Sequence, residues 1–158
     1  MPILQPSQTA RSIYEIDGEA LQQAGIRGII LDWSNTVTDS NTDVMLNTLK
    51  AWAQEFQSRY AIKLVIVSNS KPPRRSHEVF DEIPALFEAG KPKKKAFFAA
   101  MNILGTQTKE TAVIGNGIMT DIWAGNRLGM HTIFVSSPRA KPQIVEAMKR
   151  AVVRLLRV

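Results

Sequence analysis

The sequence predicts a three-layer α/β fold built on an open, parallel, five-stranded sheet. Two observations carry this. Strand-length apolar runs alternate along the chain with helix-length amphipathic segments, the pattern that parallel pairing through right-handed helical crossovers produces. Most of those runs also stop abruptly at small, amide or charged residues, as strands do where they leave a sheet. A third observation bounds the answer. With 158 residues and no repeat, low-complexity tract or long linker, one domain accounts for the whole chain (1–158), and it is long enough to build its own core.

The first strand is expected at Gly28–Trp33, where Ile29-Ile30-Leu31 is uninterrupted apolar sequence. A helical pattern follows over Asp43–Ser58, then a strand at Lys63–Ser68 and a helix at Arg74–Phe80. A short strand at Ala85–Glu88 precedes a helix at Lys93–Leu104. Thr111–Gly115 and Thr132–Val135 complete the strands, with a helix over Thr120–Leu128 between them. The core is thereby expected at about 22–136, followed by a helical pattern at about Pro142–Leu156, a basic amphipathic helix of about 142–157.

An open parallel sheet binds its ligand in the crevice beyond the carboxyl ends of its strands. The residues in those places are Asp32-Trp33-Ser34-Asn35-Thr36, Ser68-Asn69-Ser70-Lys71, Gly90-Lys91-Pro92-Lys93, and Gly115-Asn116-Gly117 running on to Thr120-Asp121. Each has an ordinary explanation. Asp32 can cap a helix, Ser68-Asn69 can form a turn, the Lys91–Lys95 run can be a solvated face, and Gly115-Asn116-Gly117 is a turn signal. Taken together they gather carboxylates, a hydroxyl, an amide and a lysine at one sheet edge. A carboxylate can attack phosphorus as a nucleophile, while hydroxyl, backbone N–H and lysine neutralise phosphoryl oxygens. Mg²⁺ prefers carboxylate oxygens together with substrate phosphate.

In that order these strings resemble the four motifs of the haloacid dehalogenase-like (HAD) phosphatases. The likeness is carried by Gly28-Ile29-Ile30-Leu31-Asp32 with Asn35-Thr36, by Ile66-Val67-Ser68-Asn69, by Gly90-Lys91-Pro92, and by Val113-Ile114-Gly115 with Thr120-Asp121. It continues through Ala124-Gly125-Asn126-Arg127, Gly129 and His131-Thr132, the most specific stretch. It runs from roughly Gln22 to Val135 and is similar in particular to the small subfamily IIIA branch of YqeG-type proteins, related to mitochondrial phosphatidylglycerophosphatase. The resemblance implies a Rossmann-like HAD fold without a large cap, and a Mg²⁺-dependent phosphatase of a phosphate monoester, with a lipid-linked phosphate such as phosphatidylglycerophosphate as one candidate. Asp32 would become the aspartyl-phosphate, with Ser68 and the Asn69 N–H on the phosphoryl oxygens. Lys91 would stabilise the charge, and Ser34 and Lys71 would lie at the substrate. The metal would rest on Asp32, the Ser34 carbonyl, Asn116 and Asp121.

Two positions depart from the pattern. The family's second aspartate, general acid and base, is replaced by Ser34, and an aspartate ligand of Mg²⁺ by Asn116. Serine has no pKa near neutrality, and general acid–base help is typically worth about 10²–10⁴ in rate. Asparagine still offers a carbonyl oxygen but no charge, so metal affinity is expected to fall. Two readings therefore stand side by side: a slow phosphatase, and a catalytically impaired HAD domain that binds a phosphorylated ligand or a protein partner.

Composition narrows the setting. Twenty Lys+Arg against 14 Asp+Glu leave a net charge of +6, which suits an anionic partner. No nucleic-acid motif accompanies the charge, so a phosphorylated small molecule or lipid phosphate is expected, and oligomeric state is left open. The absence of cysteine excludes disulfides, thiolate metal sites and Cys nucleophiles and fits a reducing cytoplasm. No run approaches the roughly 20 apolar residues of a membrane span, and the N-terminus lacks a signal-peptide pattern. Lys71, Arg74, Arg75 and Lys93–Lys95 are expected to rim the site. The C-terminal helix either packs on the sheet or presents its basic face to an anionic membrane or a partner. Trp33 borders the phosphate site or fills the core, His131 is expected in a structural hydrogen bond, and His77 carries no signal.

Overall fold

Six strands, rather than five, form the sheet. The structure, a computed structural model, describes residues 3–33, 43–72 and 81–136, with only the backbone of 43–46. In chain order the strands are β1 (Gln8–Ala10), β2 (Gly28–Leu31), β3 (Lys63–Val67), β4 (Ala85–Leu86), β5 (Thr111–Gly115) and β6 (His131–Val135). All pair in parallel, in the order β1-β6-β5-β2-β3-β4. The unforeseen strand is β1, which lies ahead of the expected start of the core. Its three residues, Gln8-Thr9-Ala10, carry no apolar run, and only the open edge of β6 gives them hydrogen-bonding partners. A short α1 (Gly18–Gln23) was likewise unforeseen; Asp17 caps it by accepting from the Ala20 N–H at 3.2 Å.

The helices α2 (Asp43–Tyr60) and α3 (Lys94–Leu104) lie where periodicity predicts them. The segment after β5 is different: Ile118–Trp123 forms a wide π-type turn that runs into α4 (Ala124–Arg127). The expected helices Arg74–Phe80 and Pro142–Leu156 lie outside the described residues.

Alternate residues of the strands face opposite sides of the sheet, and both sides are apolar, as a sheet covered on both faces requires. Ile29, Leu31, Ile66, Ile114 and Ile133 pack with Leu21 of α1 and Leu49, Trp52 and Phe56 of α2. Ile30, Val65, Val67 and Val113 pack with Phe97, Ala100, Met101 and Leu104 of α3 and Ala124 of α4. Each fully buried large side chain contributes about 1.5–3 kcal/mol, so three layers follow from the strand pattern.

The strand order also locates the site. From β2 the chain moves outward to β3 and β4 on one side, then returns to β5 and β6 on the other. The crevice between β2 and β5 is the switch point where such sheets bind ligands.

Candidate active site

Asp32 directly follows β2. Its N–H donates to Ile114 O at 2.9 Å, extending the pairing with β5 by one residue and fixing the carboxylate at the switch point. Asp121 arrives from the π-type turn after β5, a geometry often met at functional sites. The turn is closed by the Asp121 and Ile122 N–H groups donating to Gly117 O at 3.0 and 3.1 Å. The Gly117 N–H in turn donates to Asp121 Oδ2 at 3.0 Å. A Cβ on Gly115 would stand 2.2 Å from Asp121 Oδ2, so the carboxylate occupies space that any other residue at 115 would fill.

Lys91 joins the two acids. Its Nζ lies 3.0 Å from Asp32 Oδ1 and 2.6 Å from Asp121 Oδ1. Lys91, Asp32 and Asp121 are 5 %, 7 % and 1 % exposed. Burial pulls the ammonium down, but the charges of Asp121 and Asp32 outweigh it and hold Lys91 above its ordinary pKa. Burial raises the Asp121 carboxyl to about 6; the Lys91 charge opposes the rise, and the Asp32 charge adds to it. One cation between two acids leaves the ionised cluster net negative.

Ser68 directly follows β3 and is fully buried. Its hydroxyl pairs with that of Ser70 at 2.7 Å and accepts from the Ser70 N–H at 3.2 Å. Ser70 was not singled out in the sequence, although Ser-x-Ser spacing is a hydroxyl-turn signal. The Asn69 side chain engages the Lys91 backbone: its Oδ1 accepts from the Lys91 N–H at 2.7 Å and its Nδ2 donates to Lys91 O at 2.9 Å. Lys71 is exposed on the following loop, and Lys93–Lys95 are exposed at the start of α3. Asn116 is half-buried beside Gly115. Ser34, Arg74, Arg75 and His77 lie outside the described residues.

The donor set suits a hard cation. Asp32 and Asp121 supply carboxylate oxygens, Asn116 an amide carbonyl, and the cluster is net negative; Mg²⁺ sites commonly use only one or two carboxylates with substrate phosphate and water. Among the described residues there is no group of three His, Cys, Asp or Glu that could hold a metal.

Three further residues of interest have structural surroundings. Trp33 is buried in the core with Leu49, Trp52 and Phe56. His131 Nε2 hydrogen-bonds Gln8 Oε1 at 3.1 Å, the structural role expected of it, and burial lowers its pKa. Asn126 Nδ2 donates to Ile3 O and Gln5 O at 2.7 and 2.8 Å, and its Oδ1 accepts from Thr132 Oγ1 at 2.7 Å. That roles of this kind sit inside the most specific string could not be read without the fold.

Comparison with known proteins gives the family and the fold. A family model described as mitochondrial PGP phosphatase matches residues 2–83, and a HAD-hydrolase-like model matches residues 88–156. The chain is 32% identical over 152 residues to the probable phosphatase YqeG of Bacillus subtilis, covering 94% of this chain and 87% of that protein. Among solved structures, an uncharacterised protein from Corynebacterium glutamicum superposes with a TM-score of 0.57 at 20% identity, covering 83% of this chain and 95% of that one. A HAD family enzyme from Bacteroides thetaiotaomicron, solved as a magnesium complex, gives 0.50 at 13% identity, covering 77% and 98%. At these identities the two structures speak for the fold alone.

Proposed function

Since the chain belongs to the HAD-like hydrolases, in the branch of the YqeG-type phosphatases, we propose that it is a slow, Mg²⁺-dependent phosphomonoesterase acting through Asp32. The observation that carries this reading is the Lys91 ammonium bridging Asp32 and Asp121 at 3.0 and 2.6 Å. The buried ammonium orients the Asp32 carboxylate as a nucleophile, and is already in place for the charge of an incoming phosphoryl group.

In the first step an Asp32 oxygen forms a bond to phosphorus and the ester P–O bond breaks. The alcohol oxygen leaves with the bonding pair and takes its proton from water. In the second step water attacks the phosphoryl group, the bond to Asp32 breaks, and inorganic phosphate departs with the carboxylate restored. Ser68, with nearby backbone N–H groups, would orient the phosphoryl oxygens, and Lys71 would draw the anion in. Asp32, Asp121, Asn116 and the Ser34 carbonyl would hold Mg²⁺, which when bound neutralises phosphoryl charge. Because Ser34 has no pKa near neutrality, proton transfer falls to solvent in both steps, and turnover is expected to run about 10²–10⁴ below that of a site with a carboxylate there.

A lipid-linked phosphate is the favoured substrate. The family model is named for PGP phosphatase, and exposed Lys71 and Lys93–Lys95 together with a net charge of +6 suit an anionic surface. Peripheral contact with an anionic membrane from the cytoplasm is part of this reading. Among the described residues no helix is long and apolar enough to cross a membrane.

Ser34 and Asn116 favour a second reading, a HAD domain that keeps the phosphate site for binding a phosphorylated ligand or protein without turnover. Hydrolysis of an aryl phosphate and of phosphatidylglycerophosphate with Mg²⁺ decides between them. Measurable wild-type turnover lost in Asp32→Asn supports the enzyme. Turnover that appears only in Ser34→Asp/Asn116→Asp overturns it.

A further inference from the structure

Asp32 is anchored by sheet pairing and Asp121 by a helical turn, but Lys91 sits on a loop behind the two-residue strand β4. A lysine has four rotatable side-chain bonds and places its charge only as well as its own backbone is held. Two side chains from separate elements hold that backbone. Asn69, just past β3, closes a pair of hydrogen bonds on the Lys91 N–H and C=O at 2.7 and 2.9 Å. It thereby reproduces with an amide what a neighbouring strand would supply. One residue on, the Pro92 carbonyl accepts from Arg127 Nη2 of α4. Proline has no N–H, so that carbonyl is its only backbone handle. The Arg127 guanidinium is laid over the Trp123 ring, 4.3 Å from its centroid, and its Nε is buried without a partner among the described residues. The fork is therefore oriented by stacking and directed at Pro92.

We propose that Asn69 and Arg127 are positioning residues forming a two-point clamp on the Lys91–Pro92 backbone, which sets the ammonium between Asp32 and Asp121. This rests on the Asp32–Lys91 site described above and gives the Asn69 side chain a task beside the one expected of its backbone N–H at the phosphoryl oxygens. Both polar ends of that side chain are engaged by Lys91, so it cannot turn to a phosphate without releasing the lysine backbone.

The test uses Asn69→Ala and Arg127→Lys in the full chain, alone and combined with Lys91→Met, after thermal melting has established folding. Arg127→Lys keeps the charge but loses the planar fork, and stands in if Asn69→Ala does not fold. A shift of about 1 Å at a site can cost about 10²-fold in rate, so each variant is expected to lower kcat roughly 10- to 100-fold with KM within about twofold. In the Lys91→Met background neither should lower it further, because residues acting through one group are non-additive. A KM effect with kcat unchanged, or full multiplication of the losses, overturns the clamp. The ¹⁵N ammonium resonance of Lys91 reads the clamp apart from catalysis. It should move or broaden in both variants, and an unmoved resonance in folded variants overturns the proposal. Absent wild-type turnover would sink the phosphatase reading alone, and the resonance would still decide the clamp.

Discussion

Asp121 shows how one carboxyl carries both architecture and chemistry. Burial lifts its pKa from 3.8 to about 6 in the folded chain. The folded state then holds a proton that the unfolded state has released, so as pH falls from about 6 towards 3.8 folding gains stability from this group. Above about 6 the charged form persists at a cost that Lys91 offsets in part. The unfolding free energy of wild type, measured in chelator across that window, is therefore expected to rise relative to Asp121→Asn as the pH drops; a flat difference would contradict the assignment. At the same scale Ser34 and Asn116 were visible as departures from the sequence alone. The engagement of Asn69 with Lys91 was not, because it joins residues 22 positions apart through backbone atoms that no side-chain pattern records.

At the scale of elements, the segment from the π-type turn to β6 carries two jobs. Its first half delivers Asp121, and its second half ties down the N-terminal segment through Asn126. Asn126→Ala would leave Ile3 O, Gln5 O and Thr132 Oγ1 without that partner. At roughly 0.5–1.5 kcal/mol per hydrogen bond, the three together predict a loss of about 1.5–4.5 kcal/mol in urea unfolding. Amide exchange in β1 should quicken while β2 and β5 stay protected. The central strands were legible because they are apolar on both faces. The two-residue β4 was expected two residues longer and the three-residue β1 was not foreseen, since the extent of each depends on the neighbour that pairs with it.

Across the whole molecule, the sheet order turns separate strand ends into one site, and the net charge of +6 favours an anionic partner. If the phosphatase reading holds, kcat/KM towards an anionic ester should fall as salt rises from low to physiological strength, where the Debye length shortens to about 8 Å. Most of that fall should come from KM rather than kcat. Charge reversal at exposed Lys93–Lys95 should flatten the salt dependence while leaving melting within about 0.5 kcal/mol of wild type.

The amino-acid sequence by itself determined the α/β class, the central strands and the placing of Asp32, Ser68, Lys91 and Asp121 beyond the strand ends, because these depend on local hydrophobic period and on what comes after a strand. Its likeness to the HAD phosphatases was equally readable, and so were the two missing carboxylates. Only the tertiary structure decided that Lys91 stands between both acids, that Trp33 belongs to the core, that β1 closes the edge of β6, and that Asn69 and Arg127 grip the lysine's loop. Each of those depends on distances between residues far apart in the chain. Such distances are set when both faces of the sheet are buried at once.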